Sequence, residues 1–524
     1  MMKPDQEQGQ HKWIALIAMS LGVFMALLDV TVVNVALPTM AEDFNTTFGD
    51  LQWVLNAYTI VFASVLLIVS KLGDMYGRKR MFMISMVVFV IASAVNGMAT
   101  SLPVLVVGRA FQAIGGAGLN SLSMALVASN FDGPSRGTGM GILGSVIGLS
   151  TASGPLVGGY LVETFGWPSI FYINVPIGII AFYLAWKYVK ETPSYGKGQK
   201  IDFLGMILSG GALFTFVYGL IDKEHNFDWA WTDPRVMSWL VAGMVLLAAF
   251  IFVELRKPNP MMNLKLFKHA NLVGGIFVAF ALGAGIYAIN AYLTTMMQNY
   301  MGYSAFSTGL HQLVMSIWAL ILGPITGRLG DRYSKRWLIA GFLGLGVVAY
   351  LSLAFMLSPN MTFMEIVPGL VLLGISNAMV NPLVNSVGLE GIEPAETGMA
   401  SGILNVFRQF GVTVGIVMLG LTQAHNYESY LNGHWNGLGL TGKVSTELHD
   451  VFTKVSAFGG HEVAFSSRMS ALPQAKQIQD MVMAAFHNGM VATFLTAGAI
   501  VLVGAIAAAI LLNDSKENKK NTCK

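Results

Sequence analysis

The chain has 524 residues, 54% of them hydrophobic and only 11% charged, with a formal charge of +3 and a mean hydropathy of +0.61. A soluble protein of this length has no core that could hold so much apolar side chain, so the surplus must face lipid. The small net charge gives no footing for nucleic acid. The single cysteine, Cys523, excludes an intramolecular disulfide and a cysteine metal site, and no metal centre is expected.

Apolar runs lie near 13–38, 51–70, 82–100, 103–128, 137–162, 170–189, 203–222, 236–254, 271–292, 306–326, 337–357, 364–385, 398–422 and 489–512. Each is close to the ~20 residues that carry a helix across ~30 Å of hydrocarbon. None alternates with the period of two that a membrane barrel requires. An all-α integral membrane protein of fourteen spans is predicted. The first run is too long for the core of a signal peptide and carries Asp29 inside it, so it reads as a retained span.

Basic residues set the orientation. Lys71, Arg78, Lys79, Arg80, Lys187, Lys190, Arg256, Lys257, Arg328, Arg332, Lys335 and the lysines of the tail all fall on one side, which the positive-inside rule places in the cytoplasm with both termini. The gap at 386–397 holds Glu390, Glu393 and Glu396 without a basic residue, but acids weigh little in this rule. The longest hydrophilic stretch, 423–488, then lies outside. Its His425, His434, His449 and His461 read as solvated loop residues.

The chain aligns with itself at an offset of roughly 256–259 residues. Asn34-Val-Ala-Leu-Pro-Thr-Met40 matches Asn290-Ala-Tyr-Leu-Thr-Thr-Met296, Leu72-Gly-Asp-Met-Tyr76 matches Leu329-Gly-Asp-Arg-Tyr333, and Thr138-Gly-Met140 matches Thr397-Gly-Met399. These pair spans one with nine, two with ten and five with thirteen. The spacing predicts a six-helix bundle at 1–190, a linker and an inserted helix pair at 191–269, and a second six-helix bundle at 270–524 that carries the outer loop. Two such bundles enclose a cavity near the bilayer midplane, which is the architecture of a carrier.

Asp29, Arg109 and Arg408 are the ionisable residues predicted deep within a span. Each costs at least ~2.5–3.5 kcal/mol at a helix centre, so each needs a cavity or a partner. Asp29 and Arg109 have no counterpart in the other half, where Gly285 and a position near Leu370 align. A structural ion pair that locks two helices is the plain reading. The functional one makes Asp29 the proton carrier, with a cationic substrate competing for it and Arg109 tuning its affinity. Gln112, one turn from Arg109, is placed in the cavity with Thr31, Asn34, Trp53, Asn56, Tyr58, Tyr287, Asn290 and Tyr292, where amides and flat aromatics would accept amphipathic molecules.

Several segments resemble the major facilitator superfamily, and within it the fourteen-span drug:proton antiporters of the EmrB/QacA type. Leu28-Asp-Val-Thr-Val-Val-Asn-Val-Ala-Leu-Pro38 is similar to the first-span motif of that family. Ser70-Lys-Leu-Gly-Asp-Met-Tyr-Gly-Arg-Lys-Arg80 resembles the cytoplasmic loop of the superfamily, with Ser70 where Gly is usual. The resemblance implies a conformational latch built from Gly73, Asp74, Gly77, Arg78, Lys79 and Arg80, echoed by Asp331 and Arg332, with Arg78 to Arg80 near anionic headgroups. Arg109-Ala-Phe-Gln-Ala-Ile-Gly115 is similar to a fourth-span motif tied to proton coupling. Gly148, Gly154, Pro155, Gly158 and Gly159 resemble the fifth-span signature of antiporters. His311 stands where a bulky apolar residue is usual, which suggests a substrate contact or ordinary packing.

The resemblance implies a monomer in the bacterial cytoplasmic membrane with protons and small amphipathic molecules as its partners, and a proton gradient instead of a cofactor as its energy source. Multidrug export leads. Export of one metabolite, lipid or siderophore by the same mechanism remains open, as does a non-transporting sensor or scaffold. The absence of a nucleophile–base constellation in any span argues against an enzyme.

Overall fold

Backbone groups in hydrocarbon find no water, so each apolar run closes its own hydrogen bonds as a helix. The computed structural model describes residues 4–46, 48–131, 134–193, 202–226, 229–257, 260–435, 442–470 and 473–513, and contains no strand among them. Cys523 and most of the stretch from Lys190 to Lys200 lie outside the described residues. In chain order the helices are α1 (Pro4–Phe44), α2 (Phe48–Tyr76), α3 (Arg78–Gly97), α4 (Leu102–Asn130), α5 (Pro134–Phe165), α6 (Asn174–Tyr188), α7 (Phe203–His225) and α8 (Pro234–Glu254). They continue with α9 (Ala270–Tyr300), α10 (Ala305–Arg332), α11 (Lys335–Met356), α12 (Phe363–Gly388), α13 (Thr397–His434), α14 (Gly442–Ala464) and α15 (Ala475–Leu511).

Thirteen of these are long and apolar enough to span a membrane, α6 when counted with the helical turn Ser169–Tyr172 that leads into it. The remaining expected span is α5, which is helical over all 32 residues. Its glycines, serines and threonines dilute its hydropathy, so only Leu156–Phe165 stands out as apolar.

Local chemistry fixes several ends. Asp202 caps α7 by accepting the Gly205 N–H at 2.7 Å, and Thr362 with Glu365 forms a capping box at α12. Between α2 and α3 the chain turns on Gly77, whose φ of 104° suits glycine. The Glu191 carboxylate sits under that turn and accepts the N–H groups of Lys79 and Arg80, each at 2.9 Å.

One large apolar core is built from residues between Val278 and Leu512, and another mainly from the first half together with Met261 to Ile276 and Leu389 to Val406. The halves meet where α5 runs along α10, with glycines at the contacts. A Cβ on Gly148 would lie 3.2 Å from Ala319 Cβ, and one on Gly159 would lie 3.0 Å from the Phe306 backbone nitrogen. Helices α7 and α8, the pair expected as an insertion, pack against each other, and α7 lies against both α2 and α13. Large apolar side chains such as Ile179, Ile207, Val245 and Phe355 are exposed on the outer surface, where lipid would cover them.

The stretch expected as a polar loop is instead largely helical. α13 continues to His434, α14 packs against α13, α15 and the end of α9, and α15 starts at Ala475. The reason is amphipathicity: Tyr427, Leu431, Phe452, Ile478 and Val482 are buried in the second core. Only His425 of the four histidines matches the solvated reading without qualification, being exposed with no ring partner among the described contacts. His434 stacks on Tyr430 at 4.0 Å, His449 bonds Asn432 at 2.7 Å, and His461 lies 4.2 Å from the Phe465 ring.

Candidate functional site

Asp29 on α1 and Arg109 on α4 are each 1% exposed and form an ion pair. The carboxylate is caged by amides: Gln112 Nε2 donates to it at 2.8 Å and Asn174 Nδ2, from α6, at 3.2 Å. Gln112 also donates to Ser93 Oγ at 2.7 Å and accepts from Asn96 at 2.8 Å, so α3 joins the cluster. Arg109 reaches α2 through the Val54 carbonyl at 3.2 Å, and its guanidinium lies 4.3 Å from the Tyr58 ring centroid. One carboxylate thus ties α1, α4 and α6 together, and the amides that hold it bring in α3. Gln112 belongs to this cage and not to the cavity, contrary to its expected place. Ser93, Asn96 and Asn174 were not anticipated; polar residues in otherwise apolar spans were the available signal.

Beside the cage lies a cavity of about 360 Å³ between the two halves. Thr31, Asn34, Tyr58, Tyr287 and Asn290 line it. Asn120, Gln298, Gln312, Asn405 and Gln409 also line it without having been placed there, and so does Arg408, for which a cavity or a partner was expected. The walls follow helical period: Leu27, Thr31 and Asn34 on α1, and Tyr287, Ala291, Thr294 and Gln298 on α9. Four expected wall residues face elsewhere because their helices turn them away. Trp53 is 44% exposed and packs against Tyr218 at 5.9 Å, and Asn56 is half-buried off the lining face. Tyr292 donates to the Ile416 carbonyl at 2.5 Å, inside the protein. His311 bonds the Ser307 carbonyl at 2.7 Å and stacks on Tyr303 at 4.5 Å, which is packing.

Two turns in α9 widen to i→i+5 hydrogen bonds, Ala288 N–H to Gly283 and Met301 N–H to Met296, each 3.0 Å. The first places Tyr287 on the cavity wall, where its hydroxyl meets Asn381. Gly283 there lies against the α13 backbone at Arg408, a contact that leaves no room for a Cβ. Among the described lining residues Arg408 is the one charged side chain. Asp29 does not line the cavity, and its oxygens are already engaged behind Tyr58. Among the described residues the arrangement therefore offers no exposed carboxylate to the cation expected from the sequence.

The face carrying the α2–α3 and α10–α11 turns is closed by contacts between the halves. Asp74 accepts from Arg78 Nε at 2.8 Å and from the Met399 N–H at the start of α13 at 2.9 Å. Arg78 donates to the Pro394 carbonyl at 2.7 Å, and Ser401 to the Ser121 carbonyl at 3.0 Å. A carboxylate at a helix N-terminus is favoured by the helix dipole. Arg78 is 1% exposed, so it is a buried bolt and not a headgroup contact; Lys79 donates to the Trp186 carbonyl at 2.8 Å, and Arg80 is exposed. Gly73 leaves room only for Leu122 of α4.

In the second half Asp331 lies across from Gly137 of α5, where a Cβ would come within 2.8 Å of its carboxylate. Arg332 is exposed beside Tyr333, and Lys335 makes the ion pair there, with Glu390 at 3.5 Å. Of the glycine signature, Gly154 and Gly158 admit α1 at Thr31 and Val32, while Gly148 and Gly159 admit α10. Pro155 lies within α5, and its side chain is outside the described residues.

The family model of the Major Facilitator Superfamily matches residues 19–416. The chain belongs to this superfamily. It is 32% identical over 80% of its length to the multidrug resistance protein Stp of Mycobacterium tuberculosis, covering 78% of that protein. It is 29% identical to the tetracenomycin C resistance and export protein of Streptomyces glaucescens, covering 95% of this chain and 91% of the relative. It is 27% identical to the riboflavin transporter RibZ of Clostridioides difficile, covering 81% and 91%. The crystal structure of the human organic anion transporter MFSD10 superposes with a TM-score of 0.62 at 14% identity, over 95% of this chain and 99% of that one, a likeness of fold.

Proposed function

We propose that this superfamily member is a proton-coupled antiporter that exports amphipathic small molecules across the cytoplasmic membrane, with the basic face inside. The observation that carries the proposal is the Asp29–Arg109 cage, present in one half only and set directly behind the cavity wall. Protonating Asp29 would remove the counter-charge of Arg109 and weaken the bonds from Gln112 and Asn174. Those bonds hold α1 against α4 and α6. A change of charge on one atom pair is thereby linked to the packing of helices that bound the cavity.

With the basic face closed by Asp74 and Arg78, the conformation fits release of substrate and loading of a proton from outside. Opening that face would return the proton to the cytoplasm and admit substrate. A proton moving through 100 mV supplies ~2.3 kcal/mol, enough for a substrate gradient of roughly fiftyfold. The relatives named for drug resistance support export. The one named a riboflavin transporter supports the narrower alternative only in naming a single metabolite as substrate.

The test uses energised inverted vesicles with a pH-sensitive dye and a panel of amphipathic aromatics of either charge. Wild type is expected to release protons on adding a substrate, and Asp29→Asn, checked for folding by thermal unfolding, is expected not to. Equal proton release from the two proteins would remove Asp29 from the coupling.

A further inference from the structure

Arg408 differs from Arg109 in one physical respect. Arg109 is neutralised by Asp29, whereas no ion pair to Arg408 occurs among the described residues. The residue is 6% exposed, and its guanidinium contacts two neutral amides, Asn405 Oδ1 at 3.2 Å and Asn385 Oδ1 at 2.5 Å. Its Nε has no hydrogen-bond partner, nor do Asn385 Nδ2 and Asn381 Oδ1 nearby. A guanidinium carries five N–H donors in a rigid fork, and only part of this set is engaged. A buried charge in a half-satisfied network within a membrane is costly, and such residues are found where a cavity or a partner uses them.

The position is also built. The widened turn of α9 and the bare Gly283 let α13 come close at Arg408, while Tyr287 and Gln409 flank it on the cavity wall. Asp29, outside the lining, is sealed behind Tyr58 with its charge already matched by Arg109. Among the described residues the cavity thus presents one positive charge, the rings of Tyr58 and Tyr287, and apolar wall at Phe62 and Ile147.

We infer that the cavity takes amphipathic organic anions, an aromatic body bearing a carboxylate, sulfonate or phenolate, and that Arg408 is the residue that binds the anionic group. This rests on reading the cavity as the transport site. Planar, bidentate recognition of an oxyanion is what a guanidinium does better than any other side chain. The substrate carries its own countercharge to Arg408, so the empty carrier bears the unpaired charge and the loaded one does not.

The test measures binding to the full chain in phosphatidylcholine nanodiscs by equilibrium dialysis, against empty nanodiscs. The probes are 9-anthracenecarboxylate and 9-(aminomethyl)anthracene, which share a ring system and carry opposite charges at pH 7. Wild type is expected to bind the carboxylate at least tenfold tighter than the amine. Arg408→Gln is expected to lose tenfold or more for the carboxylate and little for the amine, while Arg408→Lys keeps the preference for the anion. Wild-type preference for the amine, an unchanged carboxylate affinity in Arg408→Gln, or binding of neither probe would overturn the inference. Charge-selective binding with no substrate-driven proton release would instead sink the antiport reading and leave this one standing.

Discussion

Replacing Asp74 by asparagine changes one atom's charge at the seam between the halves and should open the basic face. The Asp74–Arg78 contact lies within the first half, so it persists whichever way the halves rock. The Met399 N–H belongs to the second half, and its 2.9 Å bond to Asp74 is broken on opening. A hydrogen bond to a charged group contributes ~1.5–3 kcal/mol and a neutral one ~0.5–1.5, so Asp74→Asn should weaken the closed state by about 1–1.5 kcal/mol. That shifts the closed-to-open ratio by about five- to twelvefold. Ser401, 0% exposed and bonded across the seam to Ser121, is a reporter that Ser401→Cys converts to a thiol. In a background lacking the single native cysteine, Cys523, its maleimide labelling rate should rise by that factor when Asp74→Asn is added. An unchanged rate would show that this carboxylate does not hold the seam.

Three further outcomes follow from the same geometry. Gly141→Ala places a methyl group against the Gly323 carbonyl where α5 meets α10, and overpacking of this kind costs ~1–3 kcal/mol, so the thermal unfolding midpoint in detergent should fall by several degrees. Burial raises the carboxyl pKa of Asp202, but its bonds to Lys257 and to the Gly205 N–H outweigh this and leave it below the ordinary value. The stability from that pairing is therefore present above about pH 4 and lost as pH falls through the lower folded value; Asp202→Asn should unfold at a lower temperature than wild type at pH 7, with the gap closing in strong acid. Burial lowers the pKa of His461, so the folded state favours the neutral ring, and the stability this gives is lost as pH falls through the lowered value. Hydrogen-exchange protection of α14, corrected for intrinsic rates, should drop on acidification in wild type and stay flat in His461→Phe.

Much of the site was legible before any coordinate. Asp29 and Arg109 stood out because a charge in a span is expensive wherever the helix ends up, and Thr31, Asn34, Tyr287 and Asn290 fell on faces that one helix alone can define. Asn174 and Ser93 were missed because a lone amide or hydroxyl in a span costs too little to mark it. Trp53 and Tyr292 were misplaced, and His311 was left open between substrate contact and packing, for a related reason: an aromatic ring is at home against lipid, core or cavity, and its residue type does not choose among them. The polar stretch after α13 was read as a loop because its charge hid an apolar face.

The sequence by itself determined that the chain lives in lipid, which segments cross it, where the basic residues gather and which charges must find partners. Those are sums over single residues, since the cost of placing a side chain or a peptide group in hydrocarbon is paid locally. Tertiary structure alone decided how each helix is rotated about its axis, and with it which side chains meet. Asp29 finds Arg109 across 80 residues, Arg78 finds the Pro394 carbonyl across 316, and Asp74 the Met399 N–H across 325. No local pattern carries that information, because a helix in lipid is satisfied in any rotation until a neighbour packs against it.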